Sequence, residues 1–281
     1  MKLLRRLFLE IFAFSCIVST VLSFAAISPG DKVLVIGGTG GVGQLTVGKL
    51  QGRGGFQVRT TSRDKKRGEE IISDDGVEVF ELDLLSEDTS ALKAAMDGVN
   101  GIVISIGTTA FPTQRWKGGN TPKAIDEEAV KRIATVASNI ETMKKIVMVT
   151  SVGVDRTSEM PFLVLNLFGV LDAKKSGEQA IARAATQGGF DFVVIRPGRL
   201  VGGPFTNLDV AKLLQVQGGA ENGVTLERGD SLLGDCKRDA CAEAVVQSLI
   251  NENCKNVEYS LVSTEEKALL EEQWTEVFQT L

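Results

Sequence analysis

Three glycines spaced as Gly37-x-x-Gly40-x-x-Gly43 follow the apolar run Val33-Leu-Val-Ile36. A buried strand that turns sharply into a helix, with no side chain in the way, brings free helix N–H groups against a pyrophosphate. Gly37 permits the turn, Gly40 removes the Cβ that would hold the phosphate off, and Gly43 lets the helix pack on the strand. The expected chemistry is dinucleotide binding. A glycine-rich turn without a ligand is the alternative. The flanks favour the former: a helix-compatible segment from Val42 to Leu50, then a second strand in Phe56-Gln-Val-Arg-Thr-Thr61, complete a βαβ unit.

The residues after the second strand select the ligand. An NAD site places a carboxylate there to accept from ribose hydroxyls, whereas a 2′-phosphate repels a carboxylate and attracts arginine. Arg59, Arg63, Lys65, Lys66 and Arg67 cluster here with only Asp64 against them. NADP(H) is therefore expected in preference to NAD(H), with Arg63 on the phosphate; an ordinary basic helix start is the other reading.

Further along, strands and helices keep alternating. Arg63 to Ile72 reads as a polar helix or loop, Val77 to Leu82 as a third strand, Ser86 to Met96 as a helix capped by Ser86, and Gly101 to Ile106 as a fourth strand. A loop with Pro112 and Trp116 leads to a long helix from Pro122 to about Thr142, capped by Thr121. Lys145 to Ser151 and Phe190 to Pro197 read as strands five and six, separated by a largely helical stretch from Pro161 to Thr186. Beyond Pro197 the pattern implies a strand near Gly223 to Leu226, a helix from Lys237 to Ile250, a strand around Val257 to Leu261 and a final helix from Glu265. The expected class is α/β: a Rossmann-type, doubly wound parallel sheet with helices on both faces. Residues 27–281 read as one domain with a small substrate-side portion at the C-terminal end.

Composition narrows the partners. The 281 residues are 43% hydrophobic and 24% charged, and 31 Lys and Arg against 36 Asp and Glu give net charge −5. An acidic chain argues against nucleic acid. With no histidine and four scattered cysteines, a metal site is not expected, and the cysteines read as free structural thiols. Residues 1–26 stand apart: Lys2, Arg5 and Arg6 precede an apolar run from Leu7 to Ala26 broken by Glu10. That is the pattern of a signal segment entering the secretory route, with small residues Ser23, Ala25 and Ala26 before a cleavage point. The Ser23-Phe24-Ala25 stretch also resembles the junction of bipartite presequences that lead to plastids. Retention of residues 7–26 as a membrane anchor is the alternative.

Several ordered matches resemble the short-chain dehydrogenase/reductase superfamily, in its atypical NmrA-like branch of NAD(P)-binding proteins. They are Gly37-Gly-Thr-Gly-Gly-Val-Gly43, Val58 to Arg63, Leu82-Asp83-Leu84, Val149-Thr-Ser151-Val-Gly, Lys174-x-x-x-Glu178 and Ile195-Arg-Pro-Gly198. The resemblance implies cofactor contacts at Gly37, Thr39, Gly40, Gly41, Val42 and Gly43, at Asp83 and Leu84 near the adenine, and at Ser105, Gly107, Lys174 and Pro197. Asp83 could instead be a solvated loop carboxylate. The resemblance also assigns Ser151 to polarising a substrate carbonyl and Lys174, or its neighbour Lys175, to the ribose. Ser151 as a strand-end hydroxyl and Lys174 as a solvated helix lysine are the plainer readings.

Catalytic members of that superfamily set a tyrosine four residues before the lysine. Here that position is Val170, and Tyr259 is the one tyrosine in the chain. Two functions stay open: an NADPH-dependent oxidoreductase that draws its proton elsewhere, and a protein that binds NADP(H) without turnover, as a redox sensor or scaffold. Loops at Thr108 to Gly119 and Gly202 to Gly219, with Phe111, Trp116, Phe162, Leu165, Phe168 and Phe205, are expected to wall a hydrophobic small-molecule substrate.

Overall fold

A computed structural model of the chain describes residues 26–73, 76–203 and 222–281. Strand β1 (Lys32–Ile36) buries both faces, Val33 and Val35 in one hydrophobic cluster and Leu34 and Ile36 in another. A strand apolar on both sides must lie between two helical layers. After helix α1 (Gly41–Arg53), β2 (Gln57–Ser62), helix α2 (Lys65–Ile72) and β3 (Glu78–Glu81) extend the sheet to one side. The chain then passes through helix α3 (Ser90–Met96) and returns to the other flank of β1 as β4 (Gly101–Ile104). Strands β5 (Lys145–Val149) and β6 (Asp191–Pro197) follow outward in parallel.

The eight-stranded order is β3-β2-β1-β4-β5-β6-β10-β8, with β10 at Val257–Lys267 and β8 at Asn222–Arg228. Only β8 runs antiparallel to its neighbour. Two short strands, β7 (Arg199–Val201) and β9 (Asp235–Lys237), pair separately. Because the order reverses between β1 and β4, the connections leave those strands in opposite directions and open a crevice at their carboxyl ends.

Helix α4 (Val130–Ala137) packs with α3 on one face of the sheet. Beyond a short helix α5 (Phe162–Leu165), helix α6 (Val170–Gly188) joins that layer. The opposite face is covered by α1, α7 (Arg238–Ile250) and α8 (Glu271–Thr280), whose Trp274 and Phe278 are buried near Tyr259.

Three boundaries differ by more than three residues from those expected. The helix assigned to Ser86–Met96 starts at Ser90, because Asp88 accepts from the Ser90 backbone N–H at 2.9 Å and the Ser86 hydroxyl serves the preceding turn. Thr121 does cap its helix, accepting from Ala124 N–H at 3.3 Å, but the α-helix stops at Ala137 rather than near Thr142, and Lys123–Ala129 is wound as a π-helix. Glu265 belongs to β10, which continues to Lys267 by pairing with β8 across a bulge; the last helix begins at Glu271.

Candidate functional site

The turn between β1 and α1 is built as its glycines require. Gly37 has φ +92°, and a Cβ on Gly43 would lie 2.1 Å from the Gly37 carbonyl oxygen, so helix and strand approach to a distance no side chain permits. Gly40 donates its N–H to that same oxygen at 2.9 Å and precedes the first turn of α1, which carries no acidic residue. A Cβ on Gly40 would lie 3.2 Å from the same Gly37 oxygen and 3.9 Å from the Ser105 carbonyl oxygen, a tight fit that leaves the turn little room for a side chain. That is a cradle suited to phosphate oxygens, with uncapped helix N–H groups at its base.

Next to it lies a cleft of about 450 Å³. Gly40, Gly41, Val42, Ser105, Gly107, Ser151, Lys174 and Pro197 all line it, converging from the ends of β1, β4, β5 and β6 and from α6. Thr39 and Gly43 belong to the same turn but do not line the cleft; the Thr39 carbonyl accepts from the Gln44 side chain at 2.8 Å. Arg63, Asp83 and Leu84 lie outside this cavity. Arg63 is exposed at the end of β2, with its guanidinium 3.4 Å from the Asn120 side-chain oxygen. Asp83 accepts from Leu85 N–H at 2.9 Å, and the Leu84 carbonyl accepts from the Arg132 guanidinium. A larger recess of about 890 Å³ lies between α3 and α4 but shares no residue with the glycine turn. Its size reflects an open groove between two helices and not a convergence of strand ends.

The structure separates the two candidate lysines. Lys174 lines the cleft and pairs with Asp126 at 2.5 Å. Asp126 in turn accepts from the Thr108 N–H at 3.1 Å and from the Thr108 hydroxyl. Lys175 points to a different cluster, 2.8 Å from Asp155 and 3.6 Å from Glu178. Burial lowers the pKa of its ammonium, but Asp155, Glu178 and Glu258 outweigh that and hold it above the usual lysine value. Glu178 anchors this cluster, bridging Thr150 at 2.6 Å and the buried Arg196 at 2.6 Å.

Sequence reasoning missed Asp126. It sits in the π-helical turn, 2% exposed. The available signal was its place among Ile125, Ala129, Val130 and Ile133, a carboxylate on the buried stripe of an amphipathic helix. The Ser151 hydroxyl donates to the Val152 carbonyl at 3.0 Å. Val170, in the place of the usual tyrosine, is buried. Tyr259 shares a 2.7 Å hydrogen bond with Ser248 in the core, and burial pushes its phenol well above its usual pKa.

A family profile described as NAD(P)H-binding matches residues 37–252, which run from the first glycine of the turn to just past α7. The chain belongs to the NAD(P)H-binding family. The chain is 27% identical over 220 residues to the chloroplastic protein TIC 62 of Oryza sativa subsp. japonica, covering 66% of this chain and 42% of that relative, less than half of its length. Two solved structures share the fold. A putative NAD-dependent epimerase/dehydratase from Bacillus halodurans has TM-score 0.67 and 17% identity, over 90% of this chain and 100% of its own. A short-chain dehydrogenase/reductase from Veillonella parvula in complex with NADP has TM-score 0.61 and 12% identity, over 83% and 94%.

In this NAD(P)H-binding protein the aromatic residues divide. Phe168, between α5 and α6, meets Phe111 and Trp116 edge to face at 6.1 and 6.0 Å; Phe111 and Phe168 are exposed and Trp116 half-buried, on a loop whose Thr108 and Arg115 line the cleft. Phe162 is buried instead, with Val152, Val154 and Leu171, beneath the Arg156 guanidinium. It is core and not wall. Leu165 packs against the same cluster. Phe205, with residues 204–219 of the second expected wall, lies outside the described residues.

Proposed function

We propose that the chain is an NADPH-dependent oxidoreductase of the atypical type that works without the usual tyrosine. The observation that carries this is convergence: Ser151 and Lys174 open into the same cleft as the glycine turn. When bound, NADPH would supply a hydride for an acceptor. The α1 N-terminus and the glycine N–H groups would hold its phosphates, and the Lys174 ammonium would serve the ribose hydroxyls. The Ser151 hydroxyl, half-buried at the end of β5, turns from the Val152 carbonyl to donate to an acceptor oxygen. Protonation comes from water, Lys174 or the substrate itself.

Preference for NADP(H) over NAD(H) rests on Arg63 and Asp64. The Asp64 carboxylate accepts from Arg67 N–H at 3.0 Å as the cap of α2, so it is engaged away from a ribose, while Arg63 stands free of any carboxylate among the described residues. Gly37, Thr39, Gly40, Gly41, Val42, Gly43, Ser105, Gly107 and Pro197 form the rest of the dinucleotide site, with Asp83 and Leu84 at its adenine end.

The second reading, an NADP(H) sensor or scaffold, is favoured by Val170 and by the engagement of Ser151 with Val152. Mixing the protein with NADPH and quinone, enone and tetrapyrrole acceptors while following absorbance separates the two. Oxidation that disappears in Ser151→Ala and Lys174→Ala supports the enzyme. Tight binding with no turnover across the panel supports the sensor.

For localisation, the chloroplastic relative and the basic-then-apolar stretch of residues 1–26 support a route into plastids through a presequence. Among the described residues no helix is long and apolar enough to cross a membrane. Mass analysis of the mature N-terminus tests removal of residues 1–26; finding them intact supports an anchor.

A further inference from the structure

The charge of the cleft is one-sided. Lys174, Arg115, Arg199 and Arg238 line it, and no carboxylate does among the described residues. Two of these cations are matched from behind: Lys174 by Asp126 at 2.5 Å, and Arg199 by both oxygens of Asp235 at 2.8 and 2.9 Å. Arg115 and Arg238 have no carboxylate partner among the described residues. Arg238 donates to the Gly202 carbonyl, and the Arg115 guanidinium makes no hydrogen bond to a described residue.

A dinucleotide does not account for these two. Its pyrophosphate is met by the glycine turn and the N-terminus of α1, and its 2′-phosphate by Arg63, outside this cavity. An unpaired guanidinium fork in a concave site is a recognition element for a planar or tetrahedral oxyanion. Its neighbours add a second requirement. The 3₁₀ turn Gln114–Gly119 that brings Arg115 to the cleft also carries Trp116, whose indole N–H donates to Thr109 at 3.1 Å and whose ring meets Phe168.

We infer that the acceptor handled in this cleft is an anionic amphiphile, with a carboxylate or phosphate held by Arg115 and Arg238 and an apolar body against Trp116, Phe168 and Phe111. This rests on the oxidoreductase reading and refines it: a purely hydrophobic substrate leaves both arginines without a counter-charge.

The test titrates the full chain, saturated with NADP+, with 2-naphthoate, 2-naphthyl phosphate and neutral 2-naphthamide. At least one anion binds about tenfold or more tightly than the amide, the size of one charge-assisted contact. Whichever anion is preferred identifies the head group. Arg115→Gln and Arg238→Gln each reduce the preference, and Arg238→Lys retains part of it. Equal affinity for all three probes, or a preference that survives both variants, overturns the inference. So does a loss of NADP+ affinity in the variants with the preference intact, which assigns the arginines to the pyrophosphate. If the wild-type chain binds no NADP+, the dinucleotide reading is what fails, and the probe preference is then read on the free protein.

Discussion

Lys174 on α6 and Asp126 in the π-helical turn form a buried ion pair at 2.5 Å, and Thr108 in the loop after β4 closes on the same carboxylate. A lysine lining the cleft is thus held in one orientation by a residue 48 positions away in sequence. Removing one partner of such a pair strands the other charge and costs about 3–5 kcal/mol. Asp126→Ala is expected to lose stability of that order in urea unfolding, and the Asp126→Leu/Lys174→Met double variant to recover most of it. A double variant as unstable as the single would show that packing, not charge, sets the cost.

The glycine turn makes a sharper prediction. An alanine at Gly43 places its methyl 2.1 Å from the Gly37 oxygen, which is backbone and has nowhere to go. Gly43→Ala should cost about 1–3 kcal/mol through overpacking and distort the cradle. Titration with NADPH should show weakened binding even at a temperature where the variant is fully folded.

Cofactor choice is tested at Arg63. Charge reversal in Arg63→Asp should weaken NADPH binding about tenfold or more and change NADH binding by less than about twofold, since only the 2′-phosphate differs. Equal losses for both would falsify its assignment to that phosphate.

Acid stability should depend on Asp230. Burial alone would raise its pKa, but the N–H groups of Gly153 and Asp155 and the Arg156 guanidinium, each within 2.9 Å, hold it below the usual carboxylate value. The folded value is thus lower than the unfolded one, near 4. The stabilisation is complete above about pH 4 and fades as pH falls through the folded value. Comparing wild type with Asp230→Asn by denaturation from neutral pH downward should give a stability gap that is largest near neutrality and closes in acid.

Thiol chemistry offers a check on the core. Cys236, Cys241 and Cys254 are buried and unpaired, and burial pushes the Cys254 thiol up to about 11. None of the three should react with a thiol reagent in the native protein, and all three should react in denaturant, as peptide mapping will show. Modification of the native protein at any of them would mean that the layer of α7 opens.

Much of the site was legible because its signals are local. The glycine spacing specifies a turn within seven residues, and alternating strands and helices specify a parallel sheet covered on both faces, although the reversal of strand order beside β1 is set only in the fold. Helix ends were less legible where competing side-chain caps lay close together, as at Ser86 and Asp88. The end of β10 was hidden because its polar residues Glu265 to Lys267 are held in the strand by pairing with β8, a contact between distant segments.

By itself the sequence determined the βαβ start, the α/β class, the apolar strands buried on both faces, and the presence of Ser151 and Lys174 without a tyrosine four residues earlier. These follow from backbone sterics and periodicity, which act over a few residues. Only the tertiary structure decided that Lys174 and not Lys175 faces the cleft, and that Phe162 is core. It also decided that Arg59 is drawn off to Glu78 and the carbonyls of Ala95 and Asp97, away from the ligand side. Each of these outcomes depends on which way a side chain points and on what meets it from another element. Such contacts are set by packing across the sheet, and no spacing along the chain encodes them.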